Sequence, residues 1–473
     1  MKPIITIIFL FILELLSAQG TLPDTLELTA LQELASEQAL SVWNAEREAE
    51  LATLDLDILK ANLLPRLDLS ANIPDYFSSF RETTQPDGTI AFQPVTINNS
   101  SVQLTARQQI AATGGQLFLS SNLQRFDDFE NDRQNYNGVP LRFGINQPIL
   151  AFNSLKWRKR VLPALQKETA AQLSTARANA VSDVTTLFFN LLFAQQNREI
   201  ALDNQEASQR LYDIAGERYE LGKINRGDLV QIELELTAAG QNVLRAERSL
   251  VAATVSIYNF LGYVYNGGSL AAARPPIPPV ISTDRASLIK EMLVARPEFI
   301  TATRQKLEAQ RELERSKRDF GPQLSLQASI GLVRSDPELS PIYADPQNEQ
   351  IVSLQVNVPI LDWGERKAVV RQAETQLQYA ERINERNLLS LTARADLLLQ
   401  QYNELSEELQ LTRRISELAE ERFGISRESY LLGSIPLTEL TLAQQNRDQL
   451  ARTYLSTLGA YWEVWAELQA LTP

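Results

Sequence analysis

The 473-residue chain contains neither cysteine nor histidine. The absence of cysteine excludes disulfide bonds, thiolate metal sites and lipid attachment to an N-terminal cysteine. The absence of histidine excludes Ser-His catalysis, imidazole-bound zinc and the commonest general base near neutral pH. No glycine-rich phosphate loop occurs either, which excludes a nucleotide-driven motor. We therefore expect neither an enzyme activity nor a metal or cofactor.

The sequence is acidic and has few long apolar runs. Its net charge of −13 argues against nucleic acid as a partner. Beyond the first residues no stretch of about eighteen apolar residues occurs, so a bundle of membrane-spanning helices is excluded. If the chain enters a membrane, it must do so as a closed β-barrel.

The first residues have the pattern of a secretory signal. Lys2 precedes an apolar run from Ile4 to Leu16, and the small residues Ser17 and Ala18 follow it. The run is too short to cross a bilayer as a helix. We therefore predict a signal peptide at residues 1–18, the alternative being a buried N-terminal helix.

The rest of the sequence repeats itself. Gln147–Leu150 returns as Val358–Leu361, a shift of 211 positions, and Tyr219–Ile224 matches Tyr430–Ile435 at the same shift. A register without insertions over this length indicates two copies of one structural unit. Upstream, Leu64 matches Gly321 at a shift of 257, so the first half carries 46 more residues among its strand segments.

Long stretches of each half have the heptad spacing of coiled-coil helices. One runs from Asn153 to Leu221 and, at 1.5 Å per residue, would reach roughly 100 Å. A globular core does not need so long a helix, whereas a tube that spans the periplasm does. The spaced apolar residues are Leu173, Ala176, Ala180, Val184, Leu187, Leu191, Leu229, Ile232, Leu236, Ala239, Val243, Leu250, Leu391, Ala395, Leu398, Tyr402, Ala451, Tyr454, Leu458, Tyr461 and Trp465.

Other segments alternate apolar and polar residues over about ten positions, as the strands of a membrane barrel do. Four such strands fall in the first half, two of them forming an extra hairpin around Gly114-Gly115, and two fall in the second half. Half-buried strands of a soluble sandwich are the alternative. We predict outer loops at Pro74–Asn99 and Asp127–Gly138. Because six strands cannot close a wide barrel, several chains must share it.

These patterns predict the organisation of the chain. A first structural repeat (19–266) has barrel strands at 64–149 and long helices at 153–262, and a second (284–473) has barrel strands at 321–361 and long helices at 363–470. The Pro-rich segment 267–283 is interpreted as a stiff linker between the repeats, the alternative being a ligand for a recognition domain.

In these features the sequence resembles the TolC-type outer-membrane efflux family over nearly its whole length. The resemblance is carried by the paired strand ends Gln147–Leu150 and Val358–Leu361, the latter continuing to Arg366, by Ala295–Glu298, and by the helix turns after Tyr219 and Tyr430. It implies a mixed fold in which a long coiled-coil α-helical barrel continues a transmembrane β-barrel, two internal repeats in a homotrimer. Well-known members have four strands per chain, so six imply either a larger barrel or a hairpin that packs elsewhere.

The resemblance also implies a function. The chain is similar to the channels of tripartite efflux or type I secretion systems. Such channels lie in outer-membrane lipid and conduct substrates passively from an inner-membrane transporter. A periplasmic adaptor (membrane fusion) protein meets the helix turns of such channels. Drugs, metal ions and secreted proteins all use similar conduits, so the cargo stays open. A purely structural coiled-coil protein of the envelope is the competing hypothesis, and it leaves the alternating strands unexplained.

The expected working residues lie at the two helix turns. Leu221, Gly222, Lys223 and Ile224 form the first turn and Leu432, Gly433, Ser434 and Ile435 the second, and glycine permits the tight reversal that each requires. By the resemblance, these turns form the periplasmic tip that docks the adaptor. The alternative is that the glycines only end helices.

Two acidic residues follow the turns at matching positions, Asp228 and Glu439. Threefold symmetry would convert each into a carboxylate ring that attracts cations, and the family places an acidic aperture gate here. A further carboxylate of the family is replaced by Leu442, and no arginine stands at Ile435, so the latch must differ. The alternative role is a charge favoured at a helix N-terminus.

Overall fold

A computed structural model describes residues 22–278 and 285–471. The predicted signal peptide at 1–18 and residues 279–283 of the predicted linker lie outside the described residues. The chain forms two compact units. The first takes its described residues from Met1–Ala49, Thr169–Phe299 and Arg386–Pro473, and the second is formed by Glu50–Glu168 and Ile300–Glu385.

The elements alternate between a few strands and long helices. In chain order they are β1 (Thr25–Leu26), α1 (Leu28–Gln38), α2 (Leu40–Asn62), β2 (Arg66–Asn72), β3 (Tyr76–Thr84), β4 (Ile90–Ile110), β5 (Gly115–Asp128), β6 (Arg133–Pro148), α3 (Ser154–Glu220), α4 (Arg226–Leu261), β7 (Ala271–Ala272), α5 (Arg285–Ala295), α6 (Pro297–Asp319), β8 (Gln323–Asp336), α7 (Leu339–Ala344), β9 (Gln347–Asn357), α8 (Glu365–Leu431) and α9 (Leu437–Leu471).

The long helices occur at corresponding positions of the two halves. Both α3 and α8 have 67 residues, and their first residues, Ser154 and Glu365, are 211 positions apart. The helices that follow them, α4 and α9, have 36 and 35 residues. Among the described residues, no helix combines the length and the apolar character that crossing a membrane requires.

The first unit is held together by apolar residues at the heptad positions. Val184 and Leu191 of α3, Ile257 of α4 and Leu458 of α9 are all buried in one cluster. Tyr461 donates a hydrogen bond of 2.9 Å to the hydroxyl of Tyr402, and their rings stack at 5.2 Å. Burial, reinforced by this bond, raises the pKa of Tyr461 to about 12, so the hydroxyl remains a neutral donor near neutral pH.

The described part of the Pro-rich segment is attached to the first unit. Strand β7 pairs in parallel with β1, and the carbonyl of Pro276 accepts a bond of 3.1 Å from the indole of Trp462. Arg274 donates to Gln196 at 3.3 Å. These contacts give residues 271–276 fixed partners, which a free spacer does not have.

A polar layer interrupts the apolar packing of the first unit. We use that name for Asn204 of α3 together with Gln444, Arg447 and Asp448 of α9. Asp448 accepts bonds from Asn204 at 2.7 Å and from Arg447 at 2.6 Å, and Gln444 donates to Asn204. The Arg447 guanidinium also lies 4.2 Å from the ring of Phe423 on α8. The layer therefore connects three long helices in one register.

The second unit contains a seven-stranded antiparallel sheet. Its order is β2-β4-β5-β6-β8-β9, and β3 pairs with β4 beside β2. Both β2 and β3 run antiparallel to β4, so they act as one strand broken at the cis peptide bond before Pro74. The sheet thus has six strand positions along its width, the number predicted from the sequence. The extra hairpin, β4 and β5, is part of the sheet and does not pack elsewhere.

The predicted outer loops were wrong. Most of Pro74–Asn99 is strand, because β3 pairs with the first half of β4 from Tyr76↔Asn98 to Thr84↔Ile90. Of Asp127–Gly138, only residues 129–132 lie between β5 and β6. Here Ser, Thr and Asn residues occupy both faces, so the strands continue without the apolar alternation that identified them elsewhere.

The polar layer gives a prediction for stability. Replacing Asp448 by alanine leaves Asn204 without its acceptor and leaves Arg447 only the more distant Glu420, at 3.9 Å, and the Asp448 side chain is only 6% exposed. We expect Asp448→Ala to lower the free energy of unfolding by about 3 kcal/mol, as for other broken buried ion pairs. The measurement is chemical denaturation of the detergent-solubilised protein followed by circular dichroism.

The matched control for this experiment is Asp213→Ala on α3. The Asp213 side chain is exposed and accepts one bond, from Gln209 four residues earlier on the same helix. Its loss should change stability by no more than about 0.5 kcal/mol. Equal destabilisation by the two variants would show that the polar layer contributes no more to the free energy of unfolding than an exposed contact on one helix.

Candidate functional site

The first predicted tip turn joins α3 to α4. After Glu220 the chain reverses at Gly222, whose φ of +69° suits glycine. The amide of Lys223 donates 2.8 Å to the carbonyl of Arg218, and the amide of Gly222 donates 2.9 Å to that of Tyr219. These are the bonds of a glycine-terminated helix, and they satisfy carbonyls at the end of α3.

The second predicted turn joins α8 to α9 in the same way. Gly433 has φ +75°, and the amide of Ser434 donates 2.9 Å to the carbonyl of Ser429. The Ser434 hydroxyl donates a second bond of 2.8 Å to that carbonyl. Backbone hydrogen bonds therefore close both turns, helped in the second turn by the Ser434 hydroxyl, and the two glycines end helices. This structural role is compatible with a role in docking.

The side chains at the apex of each turn are unusually exposed for their type. Leu221 is 70% exposed and Leu432 is 85% exposed, while Ile224 and Ile435 are half-buried. Since these hydrogen bonds close the turns without the leucine side chains, the leucines do not serve to hold them. Exposed leucines without a structural task are available for contact with a partner.

The two acids beyond the turns have different surroundings. Asp228 forms a capping box with Asn225, because its amide donates 3.0 Å to the Asn225 side chain and its carboxylate accepts 3.4 Å from the Asn225 amide. Glu439 occupies the equivalent position in the first turn of α9 and, among the described residues, has no side-chain hydrogen bond. Asp228 therefore stabilises a helix start, whereas Glu439 is a free exposed carboxylate.

Basic residues near the turns do not neutralise these acids within one chain. Among the described residues, Arg218, Lys223 and Arg226 form no ion pair with Asp228 or Glu439. The carboxylates are exposed, so both remain accessible to solvent and to other chains.

The polar layer is the feature of the helices that the sequence did not reveal. A signal was present, because Gln444, Arg447 and Asp448 interrupt the apolar spacing between Leu440 and Ala451. Reading the interruption as a layer requires knowing that Asn204, more than two hundred residues earlier, lies opposite it.

The sheet has two chemically different faces. Its register places Leu67 beside Ala106 and Ala106 beside Leu119, whereas the opposite face places Asp68 beside Thr105. We call these the apolar face and the polar face. The apolar face exposes many large side chains, among them Leu67, Leu69, Leu104, Leu119, Phe143, Ile330, Val352, Leu354 and Val356. An exposed apolar surface of this extent indicates contact with lipid or with another chain.

An ion pair crosses a strand on the polar face. Arg142 of β6 lies in register beside Gly331 of β8, which lies beside Glu349 of β9. The guanidinium of Arg142 donates to Glu349 over the glycine. A Cβ at Gly331 would lie 3.0 Å from the Cβ of Arg142, so a side chain there would displace the arginine. The glycine thus permits the pair to form.

Comparisons with known proteins agree with this arrangement of turns, helices and sheet. The chain is 23% identical over 254 residues to the alkaline protease secretion protein AprF of Pseudomonas aeruginosa, a match covering 53% of this chain and 52% of AprF. It is 21% identical over 283 residues to the probable outer membrane lipoprotein SilC of Salmonella typhimurium, covering 58% and 59%. The chain thus matches just over half the length of these curated relatives.

A solved structure extends the likeness to nearly the whole fold. The outer-membrane channel OprN superposes with a TM-score of 0.68 over 94% of this chain and 89% of OprN, at 16% identity. The sequence profile of the family described as "Outer membrane efflux protein" matches residues 31–263 and 288–472. The resemblance inferred from the paired motifs is thereby confirmed. The chain belongs to the outer membrane efflux protein family, whose members are outer-membrane channels and not enzymes.

Proposed function

We propose that three copies of this chain form a passive duct through the outer membrane and the periplasm, serving an inner-membrane transporter through a periplasmic adaptor. The observation that carries the proposal is the open sheet. Among the described residues, β9 and the broken strand β2–β3 each have one unpaired edge. Unpaired backbone groups cannot remain in lipid, so the edges need partners.

The strand directions support closure between copies. All neighbouring strands are antiparallel, and the path has six positions, so β9 runs opposite to β2. The β9 edge of one copy can therefore continue into the β2 edge of the next without a change of pattern. Three copies would make eighteen strands, a size that leaves an aqueous channel.

The two faces of the sheet support the orientation of the duct. Turned outward, the apolar face meets lipid tails, and the polar face then surrounds the passage. The 67-residue helices are long enough to carry the passage on for roughly 100 Å. A purely structural coiled-coil protein has no use for such a sheet.

The conduit class does not identify the cargo. AprF is named for protein secretion and SilC as an outer membrane lipoprotein. Lipid attachment of the kind that SilC's name implies is not transferred, because this chain has no cysteine.

The shared barrel can be tested by disulfide trapping, since the native chain has no cysteine to interfere. Ser70→Cys on β2 is combined in turn with Ser353→Cys and Gln355→Cys on β9, all on the polar face. On oxidation we expect at least one pair to give dimers and trimers on non-reducing gels. The control, Ser120→Cys with Ser329→Cys on inner strands, should give monomers. Monomers from every edge pair would contradict the proposal.

We propose that the exposed turns dock the adaptor. Because Leu221 and Leu432 project into solvent, Leu221→Asp with Leu432→Asp should leave stability within about 0.5 kcal/mol of the native value yet abolish co-purification of the adaptor with the tagged chain. The control is Leu389→Asp with Leu411→Asp, which changes two leucines of α8 that are 71% and 65% exposed and lie far along the helix from the turns. Undiminished capture by the tip variant would rule the turns out as the docking site.

We also propose that Asp228 and Glu439 form the aperture gate. Asp228→Asn with Glu439→Gln removes both charges and keeps an acceptor for the Asn225 amide, so α4 retains its cap. In planar bilayers the ratio of cation to anion permeability should fall by about threefold or more. Asp203→Asn with Glu407→Gln removes two exposed charges elsewhere on the helices and should leave the ratio unchanged. An unaltered reversal potential in the first variant would exclude a gate at these acids.

A further inference from the structure

A cavity of about 900 Å³ opens where the polar face of the sheet meets the start of α3. It lies within the second unit. Three arginines line it, Arg66 of β2, Arg107 of β4 and Arg158 of α3, together with a single carboxylate, Asp68. The rest of its polar lining is uncharged and consists of Asn62, Gln109, Gln116, Asn153 and Ser154.

The register fixes which face carries these groups. Arg66 pairs beside Arg107, and Gln109 pairs beside Gln116. All four alternate with apolar-face residues such as Leu67 and Leu119, so they stand on the polar face. The two strand arginines are therefore adjacent because of strand pairing, and their closeness is a property of the sheet.

One carboxylate cannot neutralise three guanidinium groups. Asp68 lies 2.7 Å from Arg66 and 3.9 Å from Arg107, and Arg158 has no ion pair among the described residues. The side chains of Arg66 and Arg107 are 79% and 52% exposed, so their remaining donors are free for a solute. The cavity thus keeps an excess of two positive charges in a chain of net charge −13.

We propose that this cavity binds a multiply charged oxyanion, with Arg66, Arg107 and Arg158 as its ligands. Guanidinium groups remain charged at any physiological pH and bind phosphate or carboxylate oxygens in pairs. A solute needs two or more anionic groups to neutralise the two excess positive charges. Polyphosphates and polycarboxylates have this chemistry, whereas chloride and acetate do not.

The proposed anion binding does not depend on the duct. Only its consequence for transport rests on the proposed function. In the assembled duct the cavity would face the passage, and each copy would contribute one. The wall at this level would attract anions, opposite in sign to the acidic rings proposed at the turns. The binding itself needs no conduction.

The test is isothermal titration calorimetry of the full-length chain in detergent at an ionic strength of about 0.1 M, with sodium tripolyphosphate as the probe. Arg66→Gln, Arg107→Gln and Arg158→Gln are combined in one variant. We expect its affinity for tripolyphosphate to be weaker than that of the native chain by about tenfold or more, because the charge-assisted bonds are lost. Sodium acetate should give no measurable binding to the native chain.

The control combines Arg81→Gln, Arg133→Gln and Arg382→Gln, which removes the same charge from exposed positions outside the cavity. It should bind tripolyphosphate within about twofold of the native chain, since distant surface charges are largely screened. Equal weakening in both variants would attribute binding to general charge and overturn the proposal. So would native affinity in the cavity variant, or no binding by the native chain.

The same preparations separate this inference from the duct itself. If edge cysteines trap no oligomer while the cavity variant still loses tripolyphosphate, the duct fails and the anion site stands. If trapping succeeds and the cavity variant binds normally, the anion site alone is wrong.

Discussion

The structure depends on one constraint, which is that backbone N–H and C=O groups placed in lipid must be hydrogen-bonded. Six strand positions satisfy each other within the sheet, but β9 and β2–β3 each leave an edge. A single chain with these edges is incomplete as a membrane protein. In the proposed duct the apolar face meets lipid, and the two edges pair with those of neighbouring copies. The orientation of the sheet and its need for partners would then follow from strand pairing, whereas the number of copies would not.

The long helices need a feature that fixes their register. An apolar seam of alanine and leucine packs almost equally well when one helix slides past its neighbour by one heptad. The polar layer opposes such a slip, since moving α9 past α3 would separate Asp448 from Asn204. Arg447 extends the constraint to α8 through Phe423. A buried polar contact of this kind contributes to register as well as to stability.

The sequence predicted those features whose signal is local. The long helices followed from heptad spacing, the six strand positions from period-two alternation, and the turns from glycine between helices. The strands within residues 74–99 were not predicted because both faces of β3 and of early β4 mix apolar and polar residues, so no alternation identifies them. The polar layer and the arginine cavity were not predicted, because each depends on residues that the fold brings together, such as Arg66 with Arg107. A single sequence can show that polar residues interrupt an apolar pattern, but it does not show which distant residue lies opposite them.

The missing side chain at Gly331 has an effect on the proposed passage. Because Arg142 lies flat across that strand to reach Glu349, neither long side chain projects from the wall at this height. The mutual pairing also cancels their charges. In the proposed duct, a solute passing this strand would therefore meet one neutral pair in place of two separate charges.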